Sequence, residues 1–271
     1  MYVDPRVLRR YEEDERLWQS GRGDLVRLRT WDIFSRFLPP SGRVLDVGGG
    51  PGAHAAHLAD AGYEVLTLDP FTRHTNRAAA RAREQHGRSF HVASAEARGI
   101  PVRDATVDVV LLMGPLYHLV EHRHRLAALR EARRCLRPGG LVVAEAIMRH
   151  AWVLDATKKG LLATPRIWEQ FTRNIDTGFS QDPTVHSGDG FFAYFHRPDE
   201  LRQELADAGF VDADLVAVEG FGWLLGDLED RMSDPEPLLR AIRLTEREPS
   251  MLGASAHVIG VARRPAAPVA A

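Results

Sequence analysis

Two rhythms of apolar residues run along this chain. Short Val- and Leu-rich runs are separated by stretches in which apolar residues recur every three or four positions. The runs at 44–48, 63–68, 90–93, 107–113 and 141–147 predict strands buried on both faces, as in a parallel sheet. The stretches at 52–61, 71–86 and 118–136 predict the helices between them, and Pro138-Gly139-Gly140 closes the last one. Strands alternating with helices imply a parallel sheet with right-handed crossovers. Ahead of these units lie a charged amphipathic helix over 5–19 and a second helix, capped by Asp24 and ending at Phe37 before Pro39-Pro40.

The alternation breaks at 148–197. Two helices (151–163 and 165–177) are followed there by a Gly/Ser/Asp loop at 178–190 and the aromatic run Phe191 to His196. This segment follows strand five directly, on the carboxyl edge of the sheet where open α/β folds bind ligands, so it reads as a lid. A helix over 198–208, a strand at 213–218, a helical stretch at 224–247 and a strand at 254–263 finish the pattern. The expected organisation is residues 1–40 as cap helices, 41–147 as the cofactor-binding core and 148–197 as the lid. Residues 198–264 complete the sheet and 265–271 form a disordered tail.

Chemistry concentrates where the first strand meets its helix, in Val44-Leu45-Asp46-Val47-Gly48-Gly49-Gly50-Pro51-Gly52. Glycines let a ligand approach the backbone, and the start of the next helix welcomes an anionic group. Gly48-x-Gly50-x-x-Ala53 also fits a dinucleotide fingerprint. Asp46 argues against that, because a carboxylate repels a pyrophosphate and suits a ligand with a nearby cation. Asp69 ends the second strand, where a carboxylate can accept both hydroxyls of a ribose. Together these residues describe a nucleoside joined to a cationic amino acid, which is S-adenosylmethionine.

The run Asp46 to Gly52 resembles the D-x-G-x-G-x-G motif of class I S-adenosylmethionine-dependent methyltransferases. Asp69 matches that family's ribose-binding acid, and Ala93-Ser94-Ala95-Glu96 before Ile100-Pro101 resembles its adenine segment. Ser94 stands where members often carry an aspartate. Asp108 to Gly114 resembles the fourth-strand motif, and Leu136 to Gly140 the turn before strand five. The resemblance implies a Rossmann-like α/β class I methyltransferase fold, with a seven-stranded, mostly parallel sheet and a helical lid insertion. It implies S-adenosylmethionine as cofactor, held by Asp46, Gly48, Gly50, Asp69, Ser94, Ala95, Glu96 and Met113. Arg29, on a helix that often folds over the cofactor in this family, can pair with the methionine carboxylate or face solvent.

Gly114-Pro115-Leu116-Tyr117-His118-Leu119 follows strand four, a position that in the superfamily faces the methyl group, and resembles a set of bacterial small-molecule methyltransferases. Tyr117 and His118 are the catalytic candidates. His118 can act as a base near neutral pH, or pack under the lid and cap the next helix. Tyr11, Tyr194 and His196 join them as substrate-contacting candidates; the 191–196 run can equally pack as core, and His186 is a further, weaker candidate. His118, His122 and His124 lack a carboxylate or cysteine cluster to complete a metal site, so no metal is expected. His54 and His57 read as helix surface beside the cofactor.

The net charge of −2 offers no global field for a polyanion. A small-molecule acceptor, with methyl transfer to O or N, is therefore expected rather than a nucleic acid. The lone Cys135, the lack of an apolar leader and the lack of a run near the roughly 20 residues of a membrane span suit a cytoplasmic protein away from membranes. A monomer or homodimer is expected. Three alternatives stay open: a cofactor-binding protein of this fold without methyl transfer, an NAD-dependent oxidoreductase, and a nucleic-acid methyltransferase with a local basic groove, which the charge balance disfavours.

Overall fold

The computed structural model describes residues 22–85, 87–181 and 192–266. The strands are β1 (Arg43–Val47), β2 (Glu64–Asp69), β3 (His91–Ser94), β4 (Val107–Leu112), β5 (Leu136–Ile147), β6 (Phe179–Gln181), β7 (Phe192–Tyr194), β8 (Val211–Ala217) and β9 (His257–Arg263). The α-helices up to β8 are α1 (Arg22–Phe37), α2 (Ala53–Asp60), α3 (Thr72–Glu84), α4 (Pro115–His118), α5 (His122–Cys135), α6 (Ala151–Lys158), α7 (Pro165–Thr177) and α8 (Pro198–Asp207). Between β8 and β9 come α9 (Leu228–Arg231), α10 (Glu236–Thr245) and α11 (Pro249–Leu252).

Seven strands form one sheet in the order β3-β2-β1-β4-β5-β9-β8, and β6 and β7 form a separate ribbon. β1 to β5 run parallel, and β9 is antiparallel to both β5 and β8. The sheet is thus mostly parallel and flanked by helices, as the sequence pattern predicts. Its two faces are both apolar. Leu45, Val110 and Leu112 pack with Leu129 of α5 and Leu201 of α8 on one side. Val44, Val109 and Leu111 pack with Ile33 of α1, Leu58 of α2 and Ala78 of α3 on the other. Burial on both faces is why the strands read as unbroken apolar runs rather than alternating ones.

Several boundaries differ from expectation for local reasons. The helix expected over 118–136 is split into α4 and α5. Arg125 donates to the carbonyls of Leu119 and Val120 and holds the break open. The helix expected over 151–163 stops at Lys158, followed by Gly160 at φ +68°. The stretch expected over 224–247 is broken into short helices, α10 carrying a proline in its first turn. Asp24 lies inside the first turn of α1 and pairs with Arg27, so it is no cap. β5 begins at Leu136, not 141, and the register against β4 shifts across Pro138-Gly139-Gly140. The helix expected over 5–19, Tyr11, most of the 178–190 loop with His186, Phe191 and most of the tail lie outside the described residues.

Candidate functional site

The carboxyl ends of β1, β2 and β3 bring Asp46, Gly48, Gly50, Asp69 and Ser94 together. Asp46 pairs in register with Thr67 of β2 on one side and Leu111 of β4 on the other. It is fully buried; Oδ2 accepts the Thr67 hydroxyl at 3.1 Å, and Oδ1 has no hydrogen-bond partner. Burial pushes its pKa up to about 7, against the pull of the Thr67 hydroxyl and with a further push from the charge of Asp69.

The backbone over Asp46 is tightly turned. Gly48 and Gly49 donate their N–H groups to Leu68 O at 2.7 and 3.1 Å. Gly48 has φ +71°, and a methyl there would stand 2.7 Å from Cγ of Pro115. The glycine loop and the Gly-Pro-Leu-Tyr-His turn, 67 positions apart at those residues (115 − 48), are therefore in contact. α2 then starts without a side-chain cap, so its first N–H groups face the loop.

Asp69 carries the second anchor. Its Oδ2 accepts the N–H of Gly50 at 3.0 Å, while Oδ1 accepts the N–H of Phe71 at 2.9 Å and lies 3.1 Å from Nδ1 of His74. A carboxylate has about four lone-pair directions, so acceptor capacity remains after these three contacts. Ser94 is the register partner of Asp69, and Ala95 donates to Asp69 O at 3.3 Å. Glu96 turns away and forms a two-point pair with Arg98, whose hydrogen bond holds its carboxyl below the ordinary value.

On the other side of the loop, Met113 is buried at the end of β4 and Tyr117 is fully buried on α4. The Tyr117 hydroxyl donates to Met113 O at 3.3 Å, and its ring packs with Ile147, Ala193, Phe195 and Trp223. His118 is half-buried, its ring 4.7 Å from that of Tyr117.

Three residues expected at the site are engaged elsewhere. Arg29 is fully buried and ties α1 to the far end of the sheet: it donates to Val218 O at 3.0 Å, to Ala217 O at 3.2 Å, and to Asp32 and Glu246. Four of its five N–H groups are occupied, and it is neither solvent-facing nor open to a ligand carboxylate. Tyr194 and His196 belong to a buried ionic cluster instead of a pocket. The Arg125 guanidinium lies 3.6 Å from the centre of the Tyr194 ring and grips Glu204 at 2.7 Å. Nε2 of His196 sits 3.2 Å from Glu204, and Arg149 joins Tyr194, Glu200 and the Phe195 carbonyl. The opposite face of that run, Ala193 and Phe195, borders Tyr117.

Sequence reasoning missed these ionic residues, although one signal was present. Arg125 falls on the helical face that carries Ala128, Leu129 and Ala132, and Glu204 on the face of Leu201 and Leu205. A charge on an apolar stripe requires a buried partner. A second missed pair lies at the carboxyl edge beside the end of β5. Glu219, fully buried, sits 2.6 Å from Nδ1 of His257 and accepts from the His257 N–H and the Ser255 hydroxyl. Burial alone would raise the Glu219 pKa, but the charge and hydrogen bonds of His257, with Arg22 3.9 Å away, bring it down to about 2.

A family described as a methyltransferase domain matches residues 44–140, the stretch that carries the glycine loop, Asp69 and the α4 turn. Residues 44–140 lie on the fold of the class I S-adenosylmethionine-dependent methyltransferases. S-adenosylmethionine is the cofactor that the motifs of this stretch imply. The chain is 36% identical to a tRNA U34 carboxymethyltransferase of Geobacter sp. (strain M21) over 121 residues, 44% of this chain and 36% of that protein. It therefore spans well under half of that relative's length. An S-adenosylmethionine-dependent methyltransferase from Methanosarcina mazei shares the fold at TM-score 0.61 and 18% identity, over 87% of this chain and 98% of that one. Phosphoethanolamine N-methyltransferase 2 of Haemonchus contortus, in complex with S-adenosylhomocysteine, does so at TM-score 0.62 and 16% identity, over 98% and 60%. The methyltransferase domain's residues suit the cofactor: an orphaned buried carboxylate oxygen on Asp46, a glycine backbone with no room for side chains, and a strand-end carboxylate with spare acceptor capacity.

Proposed function

We propose that this chain transfers a methyl group from S-adenosylmethionine to an oxygen or nitrogen of a small molecule. The observation that carries the reading is the contact of Gly48 with Pro115, which sets the cofactor loop against the turn bearing Tyr117 and His118. In this reading Asp69 accepts the ribose hydroxyls, Asp46 and the backbone of Gly48 and Gly50 receive the amino-acid end, and Ser94, Ala95 and Met113 border the adenine and the sulfur. When bound, the cofactor supplies an activated methyl group for in-line displacement.

The protein's share is largely positioning. The helices α6 and α7 that follow β5 act as a lid over the carboxyl edge. Tyr117, locked by Met113 O and its apolar neighbours, sets the floor, and His118 beside it takes the proton of a hydroxyl or ammonium acceptor. No helix among the described residues is long and apolar enough to cross a membrane, and we place the enzyme in the cytoplasm as a monomer or homodimer.

A tRNA acceptor is the second reading, favoured by the tRNA carboxymethyltransferase activity of the Geobacter relative. The near-neutral balance of 35 basic and 37 acidic residues weighs against it. The deciding experiment begins with calorimetric binding of S-adenosylmethionine, S-adenosylhomocysteine and NAD. Methyl transfer from labelled cofactor is then followed to phenols, amines and bulk tRNA in parallel. Label on a phenol or amine, with kcat reduced in His118→Ala at unchanged cofactor affinity, supports the reading. Label on tRNA alone, or binding of NAD alone, overturns it.

A further inference from the structure

Among the described residues, two acidic side chains are completely buried in opposite circumstances. Glu219 has its partner built in, since Nδ1 of His257 lies 2.6 Å away. Asp46 has none: among the described residues no arginine, lysine or histidine pairs with it, and its one hydrogen bond comes from the Thr67 hydroxyl. The loop amides that could have neutralised it point elsewhere. Those of Gly48 and Gly49 go to Leu68 O, that of Gly50 to Asp69, and that of Gly52 to Gly49 O.

Backbone covers the Oδ2 side of the carboxyl group. A methyl added at Gly49 would stand 2.2 Å from Oδ2 of Asp46 and 2.1 Å from the Thr67 hydroxyl, so the loop lies directly on the carboxyl group. The ionisable groups on neighbouring elements are otherwise engaged. α1 brings Arg29, bound to Glu246 and Asp32; α2 brings His54 and His57, set against Phe34 and Trp31. α3 brings His74, which meets Asp69; β5 brings Glu145, buried. The charge acting on Asp46 is that of Asp69, of the same sign. An isolated carboxylate in such a place is costly and takes up a proton instead.

We propose that Asp46 is a neutral acid in the free protein and releases its proton when the ammonium end of the cofactor is seated against it, so that cofactor capture is coupled to proton release. The inference rests on the reading that this domain takes S-adenosylmethionine, and goes beyond it in assigning a proton to the contact. The step balances: a carboxylic acid and a ligand ammonium become a carboxylate–ammonium pair, and one proton passes to solvent. The burial that brings Asp46 to about 7 places the transition in the neutral range.

The test is calorimetry of S-adenosylhomocysteine with the full chain, in buffers of different ionisation enthalpy, between pH 5 and pH 9. Release should approach one proton per site at pH 6 and fall toward zero above pH 8, with affinity dropping about tenfold per pH unit on the acid side. Asp46→Asn should bind more weakly and lose the release at pH 6. His74→Gln, which alters the imidazole held 3.1 Å from Asp69, should keep it. Should Asp46→Asn not fold, a wild-type infrared difference spectrum with and without S-adenosylhomocysteine reads the same event, as loss of a protonated-carboxyl band. Binding with no proton release and flat affinity would overturn the inference and leave the cofactor reading standing. No binding at any pH would overturn both.

Discussion

The backbone N–H of Gly50 donates to Oδ2 of Asp69 at 3.0 Å, so the loop after β1 is fastened to the last residue of β2. One carboxylate thereby shapes the glycine turn and presents acceptor sites at the sheet edge. Removing it should cost both shape and contacts. Asp69→Ala is expected to weaken S-adenosylhomocysteine binding by about 1.5–3 kcal/mol, the usual range for hydrogen bonds to a charged group. Calorimetry checks this; unchanged affinity would take Asp69 out of the site.

Gly48 is constrained twice, by φ +71° and by Pro115, whose Cγ would stand 2.7 Å from an added methyl. Gly139 has φ +80° but open space around it. Gly139→Ala should therefore cost only backbone strain, about 1–3 kcal/mol. Gly48→Ala should cost more and also displace the α4 turn. Chemical denaturation of the two variants separates strain from collision, and equal losses would show that Pro115 yields freely.

Arg29→Met tests the reassignment of that side chain. The change leaves Glu246 buried with Arg36 as its remaining partner, so a loss of stability of about 3 kcal/mol is expected. Cofactor affinity, measured well below the melting temperature, should not move. A large loss of affinity in a stable variant would return Arg29 to the cofactor.

Glu219 predicts the shape of the acid limb of stability. Its folded pKa of about 2 lies below the ordinary carboxyl value of 4.5, so its contribution is present above about pH 4.5 and is lost as pH falls toward 2. Glu219→Gln should lower stability at pH 7 and flatten the dependence between those values. Asp46 has the opposite sign: its raised pKa makes the free protein less stable as pH rises from about 4 to 7. Melting temperatures of Asp46→Asn against wild type should therefore diverge upward with pH, and parallel curves would mean that Asp46 stays ionised.

The legible part of this protein was whatever a short window encodes. Unbroken apolar runs, period-3.6 stretches, Pro138-Gly139-Gly140 and the spacing of Asp46, Gly48, Gly50 and Asp69 depend on neighbours along the chain, so strands, crossovers and the cofactor loop could be read in order. Helix breaks were less legible, because α4 and α5 are parted by Arg125 reaching back to Leu119 and Val120.

The partners of the buried charges were decided by tertiary structure alone. Arg29 meets Glu246 across 217 positions, and Arg125 meets Glu204 across 79. Tyr194 and His196 read equally well as pocket or core in the sequence, and their burial with Arg125, Arg149 and Glu204 chose the core. Local pattern fixes which face of an element is apolar, because that is settled by backbone periodicity. Which partner a buried charge finds is settled by desolvation, and that depends on what the completed fold places beside it.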